Sequence, residues 1–196
     1  LWNVLLGVTV TGRDYYEFLG LEQKLRLDPA ELQRRFYELS RQWHPDRHAA
    51  GPAAQQQQAL ENTALLNDAF RTLREPVRRA EYVLNRHGLV AGEHRAKDVP
   101  QDLLEEVFEL NMALDEIRSG DAAARPQLEK ARAGFAGLLA GIDSDLDRLF
   151  GQWDETHSSQ VLQQIRGTLN RRKYISNLVQ TVDQTLAANE HEHAAN

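Results

Sequence analysis

The chain has 196 residues and no cysteine. Disulfides, zinc ribbons and thiolate ligation of a metal or cluster are therefore excluded for it. No Gly-rich phosphate loop and no His-Glu-x-x-His motif is present. His44 and His48 stand four apart, but Pro45 between them breaks any shared helical face, so they are not read as a metal pair. His191-Glu192-His193 is read as part of a disordered tail. His44 and Asp46 are not read as an acid/base pair, because no nucleophile or substrate pocket accompanies them. Neither a metal nor a cofactor is expected, and the chain is not read as an enzyme. A long hydrophobic run is also missing. Residues 1–10 are apolar, but a membrane span needs about 20 apolar residues, and Asn3 and Arg13-Asp14 interrupt this one. It lacks the basic stretch and cleavage site of a secretory signal. Residues 1–13 therefore read as a flexible extension or uncertain start, and a cytoplasmic protein without membrane contact is expected. Finally, no basic footprint is present. Residues 14–88 balance 11 basic against 11 acidic side chains, whereas residues 89–196 carry 11 basic and 18 acidic ones. An acidic second half argues against nucleic acid and suits a basic protein partner.

What remains is helical periodicity almost throughout. Helices are predicted near 14–19, 29–43, 53–74 and 77–86, then at 101–118, 123–155 and 159–187. Residues 89–99 read as a linker and 189–196 as a tail. Leu60, Ala64, Asn67, Phe70 and Leu73 are taken as the inner face of the 53–74 helix. Leu128, Phe135, Ile142 and Leu149 repeat every seven residues, with Leu138, Leu146 and Trp153 beside them. Ile165, Leu169, Val179, Val182 and Leu186 give the last helix an apolar face. Such stripes mark helix-on-helix packing, and the short turns at 119–121 and 156–159 imply antiparallel neighbours. The expected fold is all-α, with an N-terminal helical hairpin over 14–88 and a C-terminal three-helix bundle over 100–188.

The most informative local feature is His44-Pro45-Asp46. The preceding helix starts at Asp28-Pro29-Ala30-Glu31, where Asp28 can cap orphan amides, Pro29 fits the first turn and Glu31 completes a capping-box-like pair. Leu32, Phe36, Leu39 and Trp43 recur at three- and four-residue spacing. Pro45 cannot continue that helix and biases His44 out of the helical region. A rigid polar tip is thus held out at the end of a hairpin, suited to pressing on another protein.

These residues, with Asp14-Tyr15-Tyr16-Glu17-Phe18-Leu19-Gly20-Leu21 and Leu66-Asn67-Asp68-Ala69-Phe70-Arg71-Thr72-Leu73, resemble a J-domain. The ending Arg79-Ala80-Glu81-Tyr82-Val83-Leu84-Asn85-Arg86-His87-Gly88 resembles the HscB family, the J-domain co-chaperones of iron–sulfur cluster assembly. The resemblance spans about residues 14 to 187. Lack of the cysteine-rich zinc module that some members carry favours the bacterial type. The resemblance implies that Arg34, Arg35, Arg41, His44, Pro45, Asp46 and Arg47 dock on a seventy-kilodalton heat-shock ATPase, HscA-like or DnaK-like, and trigger its ATP hydrolysis. Away from that loop the arginines would read as an ordinary solvated face. His48 stands where some relatives carry an aromatic or apolar residue.

A second surface is legible in the 101–118 helix. At 100° per residue, Leu103, Val107, Leu110, Leu114 and Ile117 cluster within roughly 80° as the core stripe. Leu104, Phe108 and Met112 form another stripe roughly 140° away, bordered by Glu105, Glu109 and Glu116. One helix of a three-helix bundle does not easily bury two stripes, so this one is expected to face a partner. Tyr174, on the last helix, falls away from the core stripe and would complete the patch. The alternative is that Leu104 and Phe108 are buried against the J-domain or a neighbouring helix. The resemblance implies that Leu104, Phe108, Glu109, Met112, Glu116 and Tyr174 bind an IscU-like scaffold protein, with Met112 replacing an acidic contact. One rival reading is a general protein-folding J-protein with a different client, although the Gly/Phe-rich and cysteine-rich segments of such proteins are absent. The other is a structural helical adaptor or enzyme regulator unrelated to ATPases.

Overall fold

The computed structural model describes residues 13–91 and 100–194. These are helical, with no strand among the described residues. They fall into two compact units that divide between Tyr82 and Val83. The 1–13 extension, except Arg13, and most of the 89–99 linker lie outside the described residues.

In the first unit, α1 (Tyr15–Leu19) begins where the Asp14 carboxylate accepts from the Tyr16 amide at 2.8 Å. It ends at Gly20, whose φ of 64° is the left-handed conformation that closes a helix most cheaply with glycine. The second helix, α2 (Pro29–Trp43), starts as predicted: Asp28 caps the Ala30 amide at 2.9 Å and Pro29 fills the first turn. Glu31 differs from expectation, since its carboxylate lies 3.8 Å from Arg34. A four-residue helix, α3 (Pro45–His48), leads to α4 (Ala53–Leu73). The helices α2 and α4 run antiparallel. Phe36 meets Phe70 at a ring separation of 4.3 Å, and Thr63 donates to the Trp43 carbonyl at 2.9 Å.

The buried face of α4 is Ala59, Asn62, Leu66, Ala69 and Leu73. Of the residues expected there only Leu73 is fully buried and Phe70 partly so, whereas Leu60, Ala64 and Asn67 are exposed. The reason is that small Ala59 and Ala69 admit close packing, while Asn62 is satisfied by Arg13 at 3.3 Å. Side-chain apolarity alone ranks Leu60 above both. The fifth helix, α5 (Pro76–Arg86), returns Tyr82 to α1, where its ring stacks on Tyr15 at 4.5 Å and its hydroxyl accepts from the Tyr15 amide.

The second unit is a bundle of α6 (Leu104–Arg118), α7 (Arg125–Thr156) and α8 (Ser159–Ala194), with a 3-10 turn, Gln101–Leu103, before α6. The α6 core stripe and the seven-residue repeat of α7 are buried as predicted, with Phe150 added. Leu138 departs from expectation and is exposed, because Phe135 and Ile142 take the inward positions on either side of it. Trp153 is fully buried, flanked by the rings of His87 and His157. Gly120, at φ 92°, reverses the chain after α6, and His157, at φ 50°, does so after α7. Beyond Leu186 the last helix continues to Ala194, through the segment expected to be a disordered tail. Ala187, Ala188 and Glu190 are good helix formers, and nothing there breaks the helix. Arg–Asp pairs join the helices: Arg172 to Asp143 at 2.6 Å, and Arg132 to Asp183.

Candidate functional site

The first candidate surface is the junction of α2 and α3. His44 leaves the helical region, with φ −59° and ψ 126°, because Pro45 follows it. It then caps α3: its Nδ1 accepts from the Asp46 amide at 3.3 Å. With Nδ1 accepting, the neutral imidazole carries its proton on Nε2. The Asp46 carboxylate is 90% exposed and 3.6 Å from the same ring. Pro45 is half-buried at the first position of α3. The turn thus presents an imidazole and a carboxylate side by side, both open to solvent.

Three side chains hold that turn by its carbonyl groups. A helix leaves its last carbonyls without intrahelical partners. Here Arg47 donates to the Arg41 carbonyl at 3.1 Å, His48 Nε2 lies 3.0 Å from the Gln42 carbonyl, and Thr63 donates to the Trp43 carbonyl at 2.9 Å. The His48 ring also stacks on Trp43 at 6.2 Å. Sequence reasoning placed Arg47 among the docking residues and missed the capping roles of His48 and Thr63. Basic residues just past a helix end are a signal for carbonyl capping, whereas Thr63 gives none.

The predicted docking arginines differ in environment. Arg34 pairs with Glu38 at 2.8 Å, and Arg35 reaches the other oxygen of Glu38 at 3.5 Å. Arg35 is half-buried, with its guanidinium beside Gly20. Arg41 is exposed and makes no side-chain ion pair among the described residues. Exposed pairs of this kind contribute about 0–1 kcal/mol, so a partner carboxylate can replace Glu38 at small cost. Tyr37 on α2 is also exposed and was not singled out from the sequence.

The second candidate surface is the outer face of α6. Leu104 is 52% exposed, Phe108 65% and Met112 51%, so all three lie open to solvent. Leu103, Val107, Leu110, Leu114 and Ile117 occupy the opposite, buried face. The four-residue spacing of Leu104, Phe108 and Met112 makes one continuous apolar strip. Glu105, Glu109 and Glu116 border it, exposed and without an ion pair among the described residues. These side chains are already partly covered, so burying the remainder against a partner gains about 1–2 kcal/mol each. Arg171 on α8 grips Asp102 with two hydrogen bonds, at 3.0 and 2.6 Å, and holds that carboxyl below its ordinary pKa. That anchor fixes α8 beside the start of α6. Tyr174, one turn further along α8, is half-buried, and burial raises its hydroxyl pKa.

No helix among the described residues is long and apolar enough to cross a membrane, and no group of three metal-ligating side chains occurs among them.

Residues 14–82 match the DnaJ domain family. Two solved structures resemble the chain along most of its length. Chaperone HscB from Vibrio cholerae matches with a TM-score of 0.63 and 24% identity, covering 90% of this chain and 99% of that one. Human co-chaperone protein HscB matches with a TM-score of 0.66 and 24% identity, covering 91% and 85%. The chain therefore carries a J-domain toward its N-terminus and has an HscB-like, all-helical fold.

Proposed function

We propose that this protein is a co-chaperone in iron–sulfur cluster assembly. Its J-domain, taken as residues 14–88, stimulates the ATPase of a seventy-kilodalton heat-shock chaperone, HscA-like or DnaK-like. Its C-terminal bundle, residues 100–188, binds an IscU-like scaffold and delivers it to that ATPase in the cytoplasm. The chain itself catalyses nothing. The observation that carries the ATPase half is the outward His44-Pro45-Asp46 turn within a segment matching the DnaJ domain. The unpaired, acid-edged strip of Leu104, Phe108 and Met112 supports the client half.

In the ATPase contact, His44, Pro45 and Asp46 form the rigid tip, Arg34, Arg35 and Arg41 supply positive charge, and Arg47 holds the turn. Substituting His44 by Gln removes the imidazole while leaving the bundle untouched. Single-turnover ATP hydrolysis by the partner should lose its stimulation with His44→Gln, while titration with the scaffold should be unchanged. Full stimulation by the variant would sink the docking assignment, and absence of scaffold binding by the wild type would sink the client assignment.

A further inference from the structure

The α6 strip is continuous, at Met112, with a groove of about 710 Å³ between α6 and α7. Buried Leu110 and Phe135 form its floor, and exposed Met112 and Leu138 form its lips. Gly134 lies in its α7 wall, where an added Cβ would meet no atom within 4 Å. The charges along it are lopsided. Glu106, Glu109 and Glu116 stand on the α6 wall, opposite a single ammonium group, Lys130. None of these carboxylates has an ion pair among the described residues. Several acids elsewhere in the bundle are paired: Glu129 with Arg125, Asp143 with Arg172, Asp102 with Arg171. An open apolar channel lined on one side by uncommitted carboxylates is complementary to a positively charged segment with large apolar side chains.

We infer that this groove receives a basic, apolar segment of the client protein, so that the client surface, which already includes Glu109, Met112 and Glu116, continues past Glu106 and Leu110 to Gly134 and Phe135 on α7. The inference rests on the client-binding reading above and extends its surface from one face of α6 onto α7. The segment's apolar side chains would lie on Leu110 and Phe135 between the two lips. Its basic side chains would reach Glu106, Glu109 and Glu116. Gly134 leaves the channel open, and a Cβ there meets no atom of this chain within 4 Å.

The test uses the full chain with Gly134→Leu and, separately, Glu106→Gln combined with Glu109→Gln. Two probes are titrated: the IscU-like scaffold, and a labelled synthetic peptide of alternating lysine and leucine blocks. Circular dichroism and thermal denaturation check folding, with Gly134→Ala as the conservative control. The expected result is a tenfold or greater loss of peptide affinity with Gly134→Leu and with the Gln pair, wild-type folding, and near-wild-type binding by Gly134→Ala. The Gln pair should also flatten the salt dependence of binding. Scaffold affinity should fall in the same variants and fall further when Phe108→Ala is added. Wild-type affinity of Gly134→Leu for the peptide would overturn the groove assignment whatever the scaffold does. Scaffold binding that responds to Phe108→Ala but not to Gly134→Leu would also overturn it, while leaving the client reading standing. Failure of the scaffold to bind even the wild type, with the peptide series behaving as expected, would remove the client reading and the groove's assigned occupant together. A dimer in sedimentation that Gly134→Leu dissolves would assign the groove to a second copy of the chain and overturn the inference.

Discussion

At the residue scale, the decisive contrast is between apolar side chains of similar kind with opposite fates on one helix. Leu103 is buried and Leu104, its neighbour, is half open to solvent. Only a surface residue can be truncated without leaving a cavity. Buried Leu→Ala costs about 2–5 kcal/mol and buried Phe→Ala about 3–5 kcal/mol of stability, whereas an exposed interface anchor costs about 2 kcal/mol or more of binding. Leu104→Ala and Phe108→Ala should therefore leave thermal unfolding nearly unchanged and weaken scaffold binding by at least about tenfold each. Leu103→Ala, the matched control, should lower the unfolding temperature markedly. Equal melting shifts for Leu103→Ala and Leu104→Ala would show that the exposed face is structural. The angular separation of two apolar stripes made this legible in the sequence, because 100° steps place Leu103 and Leu104 on different faces. The capping by His48 and Thr63 was not legible, since it depends on which α4 residue comes to lie beside the end of α2.

At the element scale, the His-Pro-Asp turn is a short helix capped by His44 and tied to the end of α2, not a free loop. Pro45 supplied the break, and three side chains satisfy the exposed carbonyls. Thr63→Val keeps the volume but removes the donor to the Trp43 carbonyl. Leaving such a group unsatisfied costs on the order of 1 kcal/mol. The variant should unfold at lower denaturant and stimulate the partner ATPase less, because the His-Pro-Asp turn loses a fixed origin. Unchanged stimulation and unchanged stability would show that the Thr63 bond is dispensable. A different element-level expectation concerns α7. Gly137 is exposed within that 32-residue helix, and a Cβ there meets nothing within 4 Å. Interior glycine costs about 0.5–1 kcal/mol relative to alanine. Gly137→Ala should raise bundle stability by up to that amount in a denaturant titration. A loss of stability instead would contradict the open environment of this position.

For the whole molecule, charge is divided between two units of different character. The first half is neutral overall yet sets Arg34, Arg35 and Arg41 along α2, while the second half carries the acidic excess. Exposed charges interact within a Debye length of about 8 Å at physiological ionic strength. Arg34→Ala with Arg41→Ala should weaken ATPase docking, and raised salt should weaken wild-type docking more than that of the double variant. An affinity indifferent to salt would mean that these side chains are merely solvated. The amino-acid sequence alone determined the described α-helices other than α3, the break at Pro45, the heptad core of α7 and the two-sidedness of α6. All of these follow from local periodicity and from proline's fixed φ and missing amide, which act over a few residues. Tertiary structure alone decided that Ala59 and Asn62, not Leu60 and Asn67, face inward on α4, that Arg47 caps α2, and that the space beside Gly134 is a groove. Each of these depends on how closely two helices approach and on which distant group meets a given donor or acceptor, and neither quantity is encoded in the spacing of residues along one helix.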